Sequence, residues 1–430
     1  MGNYVTAQKK RILAILKSLY TNMQIKKILL TALVIASCVT VKAQTFWDQS
    51  QLSQVKKNAS LPVYAASIKN LIEKADAMLS EPDMSVMLKK RVSVSGDKHD
   101  YYSQARYTWP NPNTPDGLPY VNRDGESNPE IYELDRYRLS DMCDRVRYFT
   151  LAWYFSGEKK YADAAVKQLR VWFLDPETYM NPNFNYAQVR RGHDGDKGSH
   201  AGLIDAYTFV EMMPALYMLK DAKMLPKADY KGLKKWFAEF VQWYLTSDLG
   251  KGERDAKNNH SIAYDAQVIC FASFAGDKKT ANAVINEFPT RRLFPQIEPD
   301  GSQPQELRRT LSYWYSTYNI EHMVDIMFMA KGMKTRIYDA VSPDGRCITK
   351  AMDFLIPYVG KEVSAWPHQQ IGRWEDSQQS VCDNLYRIYM FDRTKTNYRD
   401  IALANSARKA GDIWFLLYLS PDDAKNLTLK

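Results

Sequence analysis

The chain is short of the residues from which most metal and nucleophile sites are built. Its 430 residues include five cysteines and six histidines. No two cysteines have metal-ligand spacing, and no H-E-x-x-H pattern occurs. A nucleophile elbow and a phosphate-binding loop are also missing. Structural zinc, metalloprotease, serine-hydrolase and nucleotide-dependent chemistries therefore lack their usual residues, and neither a metal nor a cofactor is expected. Acids are absent from the first 43 residues, which hold seven lysines and arginines. Without that stretch the 58 basic residues fall to 51 against 49 acidic ones, and the formal charge of +9 becomes +2. A nearly neutral body lacks the basic excess that nucleic-acid binding needs. Low-complexity segments are missing too, so the chain reads as packed and globular.

What the N-terminus does contain reads as a leader. Met23-Gln-Ile-Lys26-Lys27 is a basic start, and Ile28–Val39 is an apolar core too short to span a bilayer. Val41-Lys-Ala43 fits a signal-peptidase site, which predicts cleavage after Ala43 and a true start at Met23. Ile35-Ala-Ser-Cys38 offers the alternative of a lipobox with a lipid anchor on Cys38. Export follows from either, with the periplasm as the expected compartment and an outer-membrane lipoprotein or a secreted protein as the alternatives. Residues 44–430 are expected to form one domain. They keep Cys143, Cys270, Cys347 and Cys382; the first two fall in helical runs, where a buried free thiol is expected.

Aromatic residues are plentiful, with 28 tyrosines and 10 tryptophans. After two helical stretches within 49–80, residues 93–136 form a long loop rich in Tyr, Trp and Arg, which reads as an aromatic flap. Period-3.6 patterning then predicts helices at 137–156, 159–174, 202–222, 227–247, 260–275, 278–287, 307–331, 347–358, 383–392 and 401–419. Phe155-Ser-Gly157-Glu158 and Phe274-Ala-Gly276-Asp277 echo each other as helix hairpins closed by glycine. Tyr389-Met-Phe391 followed by Tyr398 is a weaker echo. Irregular helix hairpins with long loops on alternate connections predict an all-α fold. Its form is an (α/α) toroid, an incomplete α/α barrel, with the loops forming a cleft on one face.

Chemistry gathers in those loops. Asn181-Pro-Asn183 leads through Gln188 to Arg191 and His200. Asn258-Asn259-His260 stands at a helix start, where Asn259 suits capping and the helix N-terminus should lower the proton affinity of His260. Trp366-Pro-His368 runs to Arg373-Trp374. The stretch from Gln296 to Asn319 begins as a loop, with Pro299, Gly301 and Pro304, and is expected to become one helix reaching about Gly332. Glu306, Arg309 and Arg308 would sit on its first turn and Tyr315 about two turns further on. A guanidinium and a phenol on one helix can bind a carboxylate and move a proton.

Four pieces in order carry a resemblance. They are Tyr107-Thr-Trp109-Pro through Gly117-Leu-Pro-Tyr120 to Asn128-Pro129, Asn181-Pro-Asn183 with Gln188 and Gly202-Leu-Ile-Asp205, Asn258-Asn259-His260, and Pro299-Asp-Gly-Ser-Gln-Pro through Glu306 and Arg309 to Tyr315 and Asn319. Across about residues 100–320 the sequence resembles the alginate lyase family of α/α-toroid polysaccharide lyases. The resemblance implies β-elimination on a linear polyuronate. Alginate is the first expectation, glucuronan or another glucuronate polymer the alternative, and a non-catalytic polysaccharide-binding protein the rival of another class. Such elimination needs the C5 carboxylate neutralised, a base for the C5 proton and an acid for the departing 4-oxygen. By resemblance, Asn259 binds the carboxylate, and His260 neutralises it or acts as base. Arg309 orients the carboxylate and lowers the phenol's pKa, while Tyr315 donates the proton and serves as an alternative base. Arg308, seven residues before Tyr315, competes with Arg309 for the arginine's place, and His200 is a second candidate base. Arg106, Tyr107, Trp109, Gln188, Arg191 and Arg373 are candidate substrate contacts, since arginine pairs with carboxylates and aromatic rings stack on sugars.

Overall fold

The computed structural model describes residues 46–331 and 335–427. The leader, its cleavage site and Cys38 lie outside the described residues. No helix among the described residues is long and apolar enough to cross a membrane.

Two helices open the described chain, α1 (Gln49–Lys57) and α2 (Pro62–Leu79). The main run follows as α3 (Asp135–Ser156), α4 (Lys159–Phe173), α5 (Tyr207–Asp221), α6 (Lys227–Thr246), α7 (Asp248–Arg254), α8 (Asn259–Ala275) and α9 (Lys278–Phe288). It ends with α10 (Ser312–Met329), α11 (Ile348–Leu355), α12 (Trp374–Phe391), α13 (Thr396–Asn405) and α14 (Trp414–Leu417). Helices α3, α5, α8, α10 and α12 pack each against the next and form the inner ring. Nearly every residue of α8 and α10 is buried, as a helix covered on all sides requires. The outer helices α4, α6, α9 and α13 each bury one stripe against an inner neighbour. This is the predicted α/α toroid. The ring ends meet where α14 packs on α1 and α2, and Gln51 and Tyr64 both donate to the Leu419 carbonyl.

The glycine hairpins have the geometry that their sequences ask for. Gly157 (φ +79°) and Gly276 (φ +95°) cap α3 and α8 in the left-handed conformation, and each donates its N–H back to the helix. Cys143, Cys270, Cys347 and Cys382 are all free thiols.

Three expectations are corrected. The 307–331 helix is interrupted: a single turn at Pro304–Leu307 stops, and α10 begins only at Ser312. Thr310–Ser312 instead bonds to Gln369–Ile371, with Ser312 N donating to Gln369 O and Ile371 N to Thr310 O. The 401–419 run is split after Asn405, because Gln379 accepts from Ser406 and Ala407 while Asp383 and Asp412 hold Arg408. Helix α12 starts nine residues before the expected 383, its polar first half (Glu375-Asp-Ser-Gln-Gln-Ser380) hiding the apolar period. The long 93–136 loop also carries structure. It contains β1 (Tyr102–Gln104), β2 (Thr108–Trp109) and β3 (Val121–Asn122). β2 and β3 form an antiparallel pair, and β1 runs parallel to β4 (Tyr186–Val189).

Candidate active site

A cavity of about 220 Å³ opens where the β2–β3 hairpin, β4, the start of α8 and the start of α10 converge. Arg106, Tyr107, Gln188, Asn259, His260, Arg309 and Tyr315 all line it. So do Arg136, Trp314 and Tyr318, which sequence reasoning did not single out for the site. No carboxylate is among the lining residues. The acids stand one layer behind, each holding a group that faces the cavity.

The break before α10 decides the arginine. It turns the backbone so that the Arg309 guanidinium folds over the Tyr315 ring, 3.7 Å from its centre, and donates to the phenol oxygen at 2.6 Å. An uninterrupted helix would have set these residues about 9 Å apart along its axis. Asp124, from the flap, grips Arg309 through two bonds of 2.6 and 3.2 Å and also accepts from the Thr310 hydroxyl at 3.1 Å. Arg308 points to solvent and donates to Gln305. Tyr107 reaches in from the flap, its phenol oxygen 3.1 Å from that of Tyr315. Burial pushes the Tyr315 phenol well above its ordinary value, and Tyr107 adds to this; Arg309 pulls the other way and does not prevail. Arg309 thus has the lowering effect expected of it, while burial and Tyr107 set the net upward shift.

Asn259 is the first residue of α8 and is fully buried. Its backbone N–H and its side-chain Nδ2 each donate to Glu306 at 2.7 Å. Glu306 therefore caps α8 from another segment, satisfying a helix N–H that has no partner within the helix. Burial raises the Glu306 carboxyl to about 7, against the pull of the two Asn259 bonds. Next along the helix, His260 Nδ1 donates to Glu253 at 2.6 Å. Glu253 has no exposed surface, and its second oxygen accepts from His200 Nδ1 at 3.1 Å. Because an ionised carboxylate only accepts, the His260 proton sits on Nδ1 and Nε2 keeps its lone pair when the ring is neutral. Burial lowers the pKa of His260, yet the Glu253 charge outweighs it and the net shift is upward. The expected lowering by the helix N-terminus is corrected for the same reason: a carboxylate in contact outweighs the partial charge of a helix end.

Other candidates sit around the rim. His200 is half exposed, and its ring is committed to Glu253. Arg373 stacks over Trp314 at 4.4 Å. Trp109 donates to the Glu126 carbonyl under the Arg123 guanidinium, and Arg191 donates to the Tyr120 hydroxyl at 2.7 Å. Glu253 carried no usable signal in the sequence, since Lys251-Gly-Glu-Arg254 reads as a polar helix end. No group of three or more His, Cys, Asp or Glu among the described residues is arranged to hold a metal ion.

Known proteins resemble this chain in sequence and fold. The alginate lyase family model matches residues 85–366. An alginate lyase structure from Bacteroides ovatus is 44% identical and superposes with a TM-score of 0.84, covering 87% of this chain and 98% of that one. Alginate lyase A1-III from Sphingomonas species A1 is 13% identical (TM-score 0.52; 85% and 99% covered), a likeness of fold alone. A variant of A1-III complexed with a tetrasaccharide is 14% identical (TM-score 0.51; 85% and 99% covered). A search of curated proteins returned no match. With two thirds of its length matched by the family model and a close structural relative nearly as long as itself, this chain belongs to the alginate lyase family.

Proposed function

We propose that this protein cleaves alginate by β-elimination, with Tyr315 as proton donor and His260 as base. The observation that carries this reading is the Asp124–Arg309–Tyr315 chain of bonds, standing in one cavity with Asn259 and His260. The cavity wall supplies cations and no carboxylate, which suits an anionic polymer. Each step follows from the chemistry of these groups. The substrate's C5 carboxylate must lose negative character before C5 gives up its proton. Arg309 and the remaining Nδ2 hydrogen of Asn259 supply donors for it, and preorganised donors act strongly in a water-poor site. His260 takes the proton at Nε2, the ring being oriented through Nδ1 by Glu253 as in other base–orienter pairs. Tyr315 delivers a proton to the departing 4-oxygen. A phenol held protonated by burial is in the form that step needs, and Arg309 steadies the phenolate that results. In the product the leaving sugar keeps the bridging oxygen as a free anomeric (C1) hydroxyl, a new reducing end, and its former partner carries a C4–C5 double bond.

A hydrolase would need two carboxylates flanking the bond. Glu306 is instead buried against Asn259 and Asp124 is bound to Arg309, so the reading disfavours hydrolysis. Export to the periplasm remains part of the proposal, supported by the leader pattern of residues 23–43.

The test is a panel of polymannuronate, polyguluronate, glucuronan and hyaluronan, followed by ultraviolet absorbance of the unsaturated uronate. Absorbance should grow on the alginate polymers and fall by at least about 100-fold in Tyr315→Phe. Growth on glucuronan alone would transfer the proposal to that polymer. Reducing ends without absorbance would replace elimination by hydrolysis.

A further inference from the structure

Beside His260 and Tyr315, the cavity wall contains an amide whose orientation is dictated from behind. Asp205 is buried and receives four donors from three chain segments. Its Oδ2 accepts from the Tyr101 hydroxyl at 3.0 Å and the Ser103 hydroxyl at 2.7 Å. Its Oδ1 accepts from Arg136 Nη1 and from Gln188 Nε2, the latter at 2.8 Å. A carboxylate paired with a guanidinium has no proton to give. The Gln188 amide can therefore turn only its NH2 toward Asp205, and its Oε1 is directed away.

The backbone holds Gln188 in that pose. It adopts the left-handed conformation (φ +48°), and its N–H donates to Ser103 Oγ at 2.8 Å. Behind it, Gly202 lies so close that a Cβ would come within 2.4 Å of the Ala187 carbonyl oxygen. A larger residue there would push this strand and the wall it forms apart.

Gln188 Oε1 and the remaining Arg136 nitrogens have no hydrogen-bond partner among the described residues, and both residues line the cavity. Sharing one Asp205 oxygen places them side by side. The cavity thus offers a fixed acceptor next to a fixed donor. A hydroxyl is the group that fits both, giving its proton to Gln188 and receiving an N–H from Arg136. A carboxylate has no proton for Oε1, and an esterified oxygen has lost the one it had.

We propose that Gln188 and Arg136, set by Asp205, form a hydroxyl-reading subsite that selects uronate residues with a free ring hydroxyl over O-acylated ones. The proposal rests on the lyase reading given above and adds a specificity to it. Its probe is polymannuronate beside the same polymer chemically acetylated on its ring hydroxyls. Wild-type protein should show a kcat/KM at least about 10-fold lower on the acetylated polymer, since a site built to bind a hydroxyl rejects the analogue lacking it. Gln188→Ala should lose about 10-fold on the unmodified polymer, so that the ratio between the two polymers falls toward one. Gln188→Met, which keeps the bulk of the side chain, should do the same if the alanine variant melts early. Equal loss on both polymers, or a wild type that does not distinguish them, would overturn the subsite. Absence of unsaturated product from either polymer would instead overturn the lyase reading beneath it.

Discussion

Replacing Asp124 by asparagine isolates the link between the flap and the proton donor. The substitution keeps the shape of the side chain but removes its charge and one of its two acceptor oxygens. Arg309 then keeps one arm of its grip and is free to swing off the Tyr315 hydroxyl. Both partners are about one quarter exposed (24% and 28%). Breaking a fully buried pair costs about 3–5 kcal/mol, and an exposed one contributes about 0–1 kcal/mol. An intermediate loss of about 2 kcal/mol is the reasonable figure here, or roughly 30-fold in rate. Arg309 acts on the phenol and on the charge that develops at the substrate carboxylate in the transition state, so the loss should fall mainly on kcat. The assay is initial-rate ultraviolet absorbance on polymannuronate, with thermal melting as the check on folding. A double-mutant cycle sharpens it: Asp124→Asn and Arg309→Lys should be strongly non-additive, because each breaks the same connection. A kcat within about 3-fold of wild type, or additive losses in the cycle, would refute the chain from flap to phenol. The salt link also sets a pH limit. Burial opposes ionisation of Asp124, but Arg309 holds it below the usual carboxylate range. Its contribution is therefore present above the unfolded carboxyl's pKa and lost only as pH falls through the lower folded value.

Two further outcomes are expected. His260 is shifted above 6.5 by Glu253, so as a base it should lose kcat/KM as pH falls through that raised value. Glu253→Gln leaves burial and Arg309, which lower it, opposed by Glu306 alone, and should move the acid limb to lower pH, whereas an unmoved limb would remove His260 from the base role. The same pair stabilises the fold while Glu253 is ionised and His260 protonated, and this contribution fades as pH rises through the folded histidine value. Gly157→Ala would meet no atom within 4 Å, so its cost is backbone strain alone, about 1–2 kcal/mol. Melting should drop by roughly 1–2.5 °C with activity unchanged; an unaltered melting temperature would contradict the left-handed cap.

Much of the fold could be read because its signals are local. Helix period and a glycine followed by an acid are visible within a few residues, and α3, α4, α6, α8 and α9 lie close to their expected bounds. What escaped depends on partners distant in the chain. The break at Arg308–Leu311 exists because the segment around Gln370 bonds there, and nothing near Arg309 announces it. The same holds at the cavity. The spacing of Arg309 and Tyr315 stood out, but the buried acids behind the wall did not. Glu253, Asp205 and Glu306 each look like an ordinary surface or capping acid until the toroid places His260, Gln188 and Asn259 in front of them. Arg136 was hidden in the same way, as one charge among several at the start of a helix.

The closure of the ring has a consequence for how the protein is made. The bonds from Gln51 and Tyr64 to the Leu419 carbonyl join residues 368 and 355 positions apart. Helices α1 and α2 therefore wait for a segment at least 355 residues later in the chain before their packing is complete. Contacts of such long sequence separation slow folding. A chain stopped short of residue 419 would leave α1 and α2 with an uncovered face, making the segment around Leu419 a checkpoint on ring closure far from the cavity itself.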